Sequence, residues 1–156
     1  MDSAELARRR RQTQIIVDLA RIRSAADRWV EDALVRHELR DITPAQANLL
    51  MVLFNARRPL TGAELARALG ISEVTVSRFL KKMDAAGWVQ RARDTEDARR
   101  VLVRPTGKAR EALPRFILLT NTLLDTTFGP LPASEVDRLA ELLTEIREAL
   151  SAATVR

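Results

Sequence analysis

The sequence predicts a mainly α-helical fold carrying a small β-wing, and three observations predict it. Residues 61–106 read TGAELARALGISEVTVSRFLKKMDAAGWVQRARDTEDARRVLVRPT. That stretch is two short helix patterns joined by a Gly-containing turn, then two strand patterns around a charged loop. Long apolar stripes at three-four spacing run through both ends of the chain. Of the 26 basic and 21 acidic residues, ten and five fall between Ser72 and Arg110, leaving sixteen of each elsewhere. The whole excess of +5 therefore sits on the second of those short helices, the wing and the residues just after it. The expected architecture is a single domain over 1–156, with a winged helix-turn-helix at 43–108 and helical dimerisation segments at 10–40 and 109–152.

The first helix is expected from Arg10 to Leu39. Ile15, Leu19, Ile22, Ala26, Trp29 and Ala33 step by four and three along one face. A helix of about 30 residues is about 45 Å long, more than one small core needs, so its stripe points to packing against a second chain, the alternative being one helix draped over its own domain. The Arg8–Arg11 run stands at its start, either as an arm touching phosphates or as a solvated run. Thr43-Pro44-Ala45-Gln46 opens the next helix, with Thr43 as cap, Pro44 at the first helical position and Gln46 reaching back. It carries Leu49, Leu50, Val52 and Leu53 and ends before Arg57.

Thr61-Gly62-Ala63-Glu64 is a second capping box, opening a short helix that Gly70 closes by entering the left-handed region. Ile71 plugs the turn and Ser72 caps the following helix. There Val76, Phe79, Leu80 and Met83 make the buried face, while Val74, Arg78, Lys81 and Ala85 point outward, flanked by Thr75, Ser77 and Lys82. Gly87 ends that helix. Trp88–Ala92 and Arg100–Arg104 alternate as strands around the loop Arg93–Arg99. Pro105 stops the second strand, and Thr106 caps a helix from Gly107 to Thr127 with a kink or break expected at Pro114. Its stripe reads Ala109, Leu113, Phe116, Thr120, Leu123 and Leu124. After the connector Gly129–Pro132, the last helix presents Val136, Leu139, Leu143, Ile146 and Leu150.

Composition removes several function classes. There is no apolar run near the ~18 residues of a membrane span, and the basic N-terminus has no apolar stretch behind it to make a secretory signal. The reading is a soluble, cytoplasmic protein with no membrane partner. No cysteine means no disulfide, thiolate ligand or thiol redox sensor. A single histidine, His37, makes a metal site unexpected and leaves no nucleophile–His–acid set. No cofactor and no enzymatic activity are expected.

The outward face of the second short helix suits double-stranded DNA. A major groove about 12 Å wide admits one helix bearing short polar and cationic side chains. Ser72, Thr75 and Ser77 can touch base edges or phosphates, and Arg78 can fork onto guanine O6 and N7. Val74 either meets a thymine methyl or is a small exposed residue with no role. Lys81 and Lys82 lie where phosphates pass and would set affinity and salt dependence. In the wing loop, Asp97 is expected to pair with an arginine and hold it in shape. Arg93, Arg99 and Arg100 are the candidates for entry into the minor groove. A winged-helix module used for protein–protein contact is the alternative reading.

These residues resemble the MarR family of winged helix-turn-helix transcription regulators. The matching pieces are LTGAELARALGISEVTVSRFLKKMDAAGWVQR, Asp97-Ala98-Arg99, Val101-Leu102-Val103 and Thr106-Gly107-Lys108. Pro105, where the family usually has an apolar residue, and Pro114 depart from the pattern. The resemblance implies a homodimer with interlocked terminal helices, each recognition helix in a major groove and each wing in the flanking minor groove of a palindromic operator. It implies DNA contacts from Ser72, Thr75, Ser77, Arg78 and Arg99, with Asp97 structural. It also implies a small phenolic or carboxylate effector that relieves repression. Trp29 and His37 are candidates to line an effector pocket, although Trp29 also lies on the dimer stripe. Whether the protein represses or activates depends on where its operator lies.

Overall fold

A computed structural model describes residues 2–97 and 99–154. Its elements run α1 (Ser3–Arg36), α2 (Pro44–Ala56), β1 (Leu60–Thr61), α3 (Gly62–Leu69), α4 (Glu73–Ala85), β2 (Val89–Arg93), β3 (Val101–Pro105), α5 (Gly107–Phe128) and α6 (Ala133–Thr154). The chain divides into two compact units, Met1–Leu119 and Thr120–Arg156, with the boundary inside α5.

Local capping chemistry sets the starts of the central helices. Thr43 Oγ1 accepts from the Gln46 N–H at 3.4 Å while Gln46 Oε1 accepts from the Thr43 N–H at 3.0 Å. The same reciprocal box opens α3 through Thr61 and Glu64. Ser72 caps α4, its Oγ accepting from the Thr75 N–H at 3.2 Å. Gly70 and Gly87 take φ of 64° and 76° after α3 and α4. After α2 the same left-handed geometry falls on Arg57, at φ 53°. A side chain there costs about 1 kcal/mol or more relative to glycine.

Glu64 also bonds Arg58 at 2.8 Å. The Arg58 guanidinium, then the Thr61 N–H, hold its carboxyl at about 2, below the ordinary 4.5. A lowered folded value makes the contribution of Glu64 fully present above about pH 4.5 and lost as pH falls toward about 2. Glu64→Gln should therefore lower the melting temperature at neutral pH and converge on the wild type in acid. A constant offset from pH 7 to pH 2 would show that the side chain acts through packing alone.

The core lies between the helix-turn-helix and its neighbours. Leu49, Leu50, Leu65, Val76 and Met83 are essentially fully buried, with Ala33 and Leu34 of α1 closing one side. The sheet order is β1-β3-β2, antiparallel throughout, with Leu60 opposite Val103 and Val89 opposite Pro105. Trp88 anchors the root of the wing at 1 % exposure, with Phe116 edge-on at 5.9 Å.

Several expectations change. α1 begins at Ser3 rather than Arg10, because Asp2 caps it by accepting from the Glu5 N–H and Glu5 pairs with Arg9. Arg8–Arg11 is therefore helical surface, not an arm ahead of the helix. The wing strands each start one residue later than the alternation indicated, and the short strand β1 joins them. No break occurs at Pro114: α5 runs through it, with the proline exposed and Ala112, Phe116 and Leu119 buried on the other face. The buried stripe of α5 is accordingly Ala109, Ala112, Phe116 and Leu119, while Leu113 is only half-buried.

Candidate nucleic-acid interface

Helical phase and tertiary packing agree on which side of α4 is free. Val76, Leu80 and Met83 are buried and Phe79 packs against them, while Val74 is 70 % exposed and Ser77, Arg78, Lys81 and Lys82 are exposed beside it. Ser72 and Thr75 share a hydrogen bond between hydroxyls 2.9 Å apart, so each holds the other at the mouth of the helix. Among the described residues, no carboxylate pairs with Arg78, Lys81 or Lys82. Three uncompensated cations on one outward face give the local positive potential a polyanion requires.

The wing is built by backbone rather than by an arginine–aspartate pair. Asp97 Oδ1 accepts from the backbone N–H of Arg99 at 3.0 Å, and the Asp97 carbonyl accepts from the Arg100 N–H at 2.9 Å. Among the described residues no guanidinium pairs with Asp97. The expected arginine pairing is instead made by Asp94, whose carboxylate lies 3.8 Å from Arg100. The difference follows from reach: a short carboxylate two residues from an N–H closes an Asx-type turn on its own backbone. Arg93 at the end of β2 and Arg99 in the loop are left exposed.

Three connections between elements were not foreseen. Arg91 on β2 bonds Asp84 near the end of α4 at 3.0 Å, tying the wing to that helix. Thr106, besides accepting from the Ala109 N–H, donates to the Gly87 carbonyl at 2.6 Å. Lys108 Nζ donates to Asp41 at 2.5 Å and to the Ala86 carbonyl at 2.9 Å, and lies 4.3 Å from the Trp88 ring centroid. Alternation on β2 could have flagged Arg91; nothing local points Lys108 to Asp41.

The two candidate effector residues lie on α1 and at its end. Trp29 packs partly buried against the core, with the Arg36 guanidinium 6.0 Å above its ring. His37 is the C-cap of α1, and its carbonyl accepts from Arg115 at 3.2 Å. No helix among the described residues is long and apolar enough to cross a membrane.

Comparison with known proteins decides the family. Residues 40–100 match the model of the MarR family. The transcriptional regulator AdcR of Streptococcus pneumoniae is 30 % identical over 113 residues, which cover 68 % of this chain and 76 % of that protein. The chain belongs to the MarR family. The HTH-type transcriptional repressor YetL of Bacillus subtilis is 25 % identical over 113 residues, covering 72 % of this chain and 68 % of YetL. A MarR variant from E. coli, solved in complex with operator DNA, superposes with a TM-score of 0.70 at 27 % identity over 84 % of this chain and 94 % of that one. Six helices and a three-stranded wing are thus the MarR fold, and the protein is a DNA-binding transcriptional regulator, not an enzyme.

Proposed function

We propose that the protein is a homodimeric repressor of a palindromic operator, with α4 in the major groove, the wing arginines in the minor groove, and release triggered by a small organic effector. The observation that carries this is the pairing of one free cationic face with two uncovered apolar ones. Ile15, Ile16, Val17 and Ile22 of α1 are exposed, Ile22 at 64 %, and so are Leu139, Leu142, Leu143 and Ile146 of α6. Contiguous apolar faces of this kind are costly in water and mark association surfaces. A dimer would also give two recognition helices, which a palindrome matches at a spacing of one helical turn. YetL is a repressor and MarR binds operator DNA, which supports the same use here.

Filter binding across a salt series tests the reading. Specific duplex binding should fall steeply with salt, and a palindrome should be preferred over scrambled duplex. Loss of both the salt dependence and the palindrome preference would favour a module that meets an acidic protein. Within α4 the roles separate. Arg78→Ala should relax preference at one base pair by about 1–3 kcal/mol, whereas Lys82→Ala should weaken all sequences alike and lower the salt slope by about one. Indistinguishable variants would defeat that division of labour.

A further inference from the structure

Val74, on the first turn of α4, is 70 % exposed, more than any other large apolar side chain among the described residues. The others that stand open lie on α1, on β3, or from Ile117 onward. Val74 is therefore separate from the apolar faces that a second chain would cover. Its neighbours Ser72, Glu73, Ser77 and Arg78 are exposed and polar, which makes it a lone apolar tip on a polar and cationic surface. Neither packing nor helix formation accounts for valine there. The side chain stands outside the core, and a β-branched residue is a poorer helix former than Ala, Glu or Lys.

We propose that Val74 is a methyl reader: it senses the 5-methyl group of a pyrimidine in the major groove, thymine's in ordinary DNA and 5-methylcytosine's in modified DNA. Chemical complementarity carries this. The groups that base edges present in the major groove are hydrogen-bond donors and acceptors, with the thymine methyl as the apolar exception. A protein partner would seat on a contiguous apolar patch, whereas a base edge offers one methyl-sized contact, which a single valine matches. The hydroxyls of Ser72 and Thr75 bond each other beside it, so the first turn of α4 keeps its polar groups together and presents the valine apart from them. β-branching holds a helical valine to essentially one rotamer, so its two methyls keep one direction and little freedom is lost on contact. Helix-turn-helix modules bring the N-terminal residues of their second helix to base edges, and Val74 stands at that end of α4.

Methyl reading rests on the placement of α4 in the major groove and goes further. Methylating a cytosine at the position that Val74 meets would strengthen binding with no change of sequence.

Enrichment of tight binders from a random duplex library by the full chain supplies the DNA for the test. In that duplex each thymine is replaced in turn by deoxyuridine, which lacks only the methyl. One such replacement in a half-site should weaken the wild type by about four-fold, the worth of one buried methyl-sized group. Cytosine at the same position should gain about as much from a 5-methyl group. Val74→Ser should bind thymine and deoxyuridine duplexes equally, and cytosine and 5-methylcytosine duplexes equally, at an unchanged melting temperature. A loss below about two-fold at every thymine, or the same methyl preference in Val74→Ser, would overturn the proposal. Enrichment of no sequence would remove the operator reading and methyl reading together, whereas an enriched duplex indifferent to the methyl would remove methyl reading alone.

Discussion

Trp88→Ala is expected to cost about 3–5 kcal/mol of folding stability, lowering the melting temperature by about 6–20 °C for a chain of this size. Trp88 is buried to 1 % exposure, meets Phe116 edge-on, and sits under the Lys108 ammonium. Removing the indole empties the junction of α4, the wing and α5 together. Partial collapse cannot refill a space walled by three different elements, which places the cost near the upper end of large-to-small changes. Thermal unfolding followed by circular dichroism measures it. A fall of less than about 4 °C would mean the wing root is held by its strand pairing instead.

Arg99→Ala is expected to weaken DNA binding more than ten-fold, about 1.4 kcal/mol, with the melting temperature nearly unchanged. The guanidinium is exposed and no carboxylate among the described residues engages it, while its backbone N–H is fixed by Asp97. Truncation thus leaves the turn intact and removes only the group that would reach the minor groove. Asp97→Ala offers the complementary experiment: it frees the turn and should lose affinity through disorder of the loop rather than loss of charge. Equal losses of affinity and melting temperature in Arg99→Ala would reassign the arginine to structure.

The parts legible from sequence were those decided within four or five residues. Both capping boxes, the Ser72 cap and the buried phase of α4 depend only on neighbours along the chain, and all are present. The start of α1 was missed because its first apolar stripe residue, Ile15, comes twelve residues after the true beginning, which only Asp2 marks. β1 has two residues, too few for any period, and exists because β3 offers it a free edge. Pro114 suggested a break because local rules count its missing N–H, whereas burial of Ala112 and Phe116 keeps the helix continuous. At the site, the outward side chains of α4 were readable from phase alone. How Asp97 acts was not, since the choice between a guanidinium and a backbone N–H is made by the turn itself. The left-handed backbone at Arg57 was equally hidden, because glycine, the residue that usually marks that geometry, is absent there.

The Lys108 ammonium fastens one end of α4 and leaves the other to the caps of its own first turn. By holding the Ala86 carbonyl and Asp41 at once, it pins the trailing end of α4 to the root of α5 and to the connection after α1. The thirteen residues of α4 make a rod about 20 Å long. A tilt of about 10° about the pinned end would swing the Ser72 end through about 3 Å, close to one base-pair step. A small rotation where α5 begins would therefore be magnified at the exposed Ser72 end, and the gearing would be set by the length of one helix.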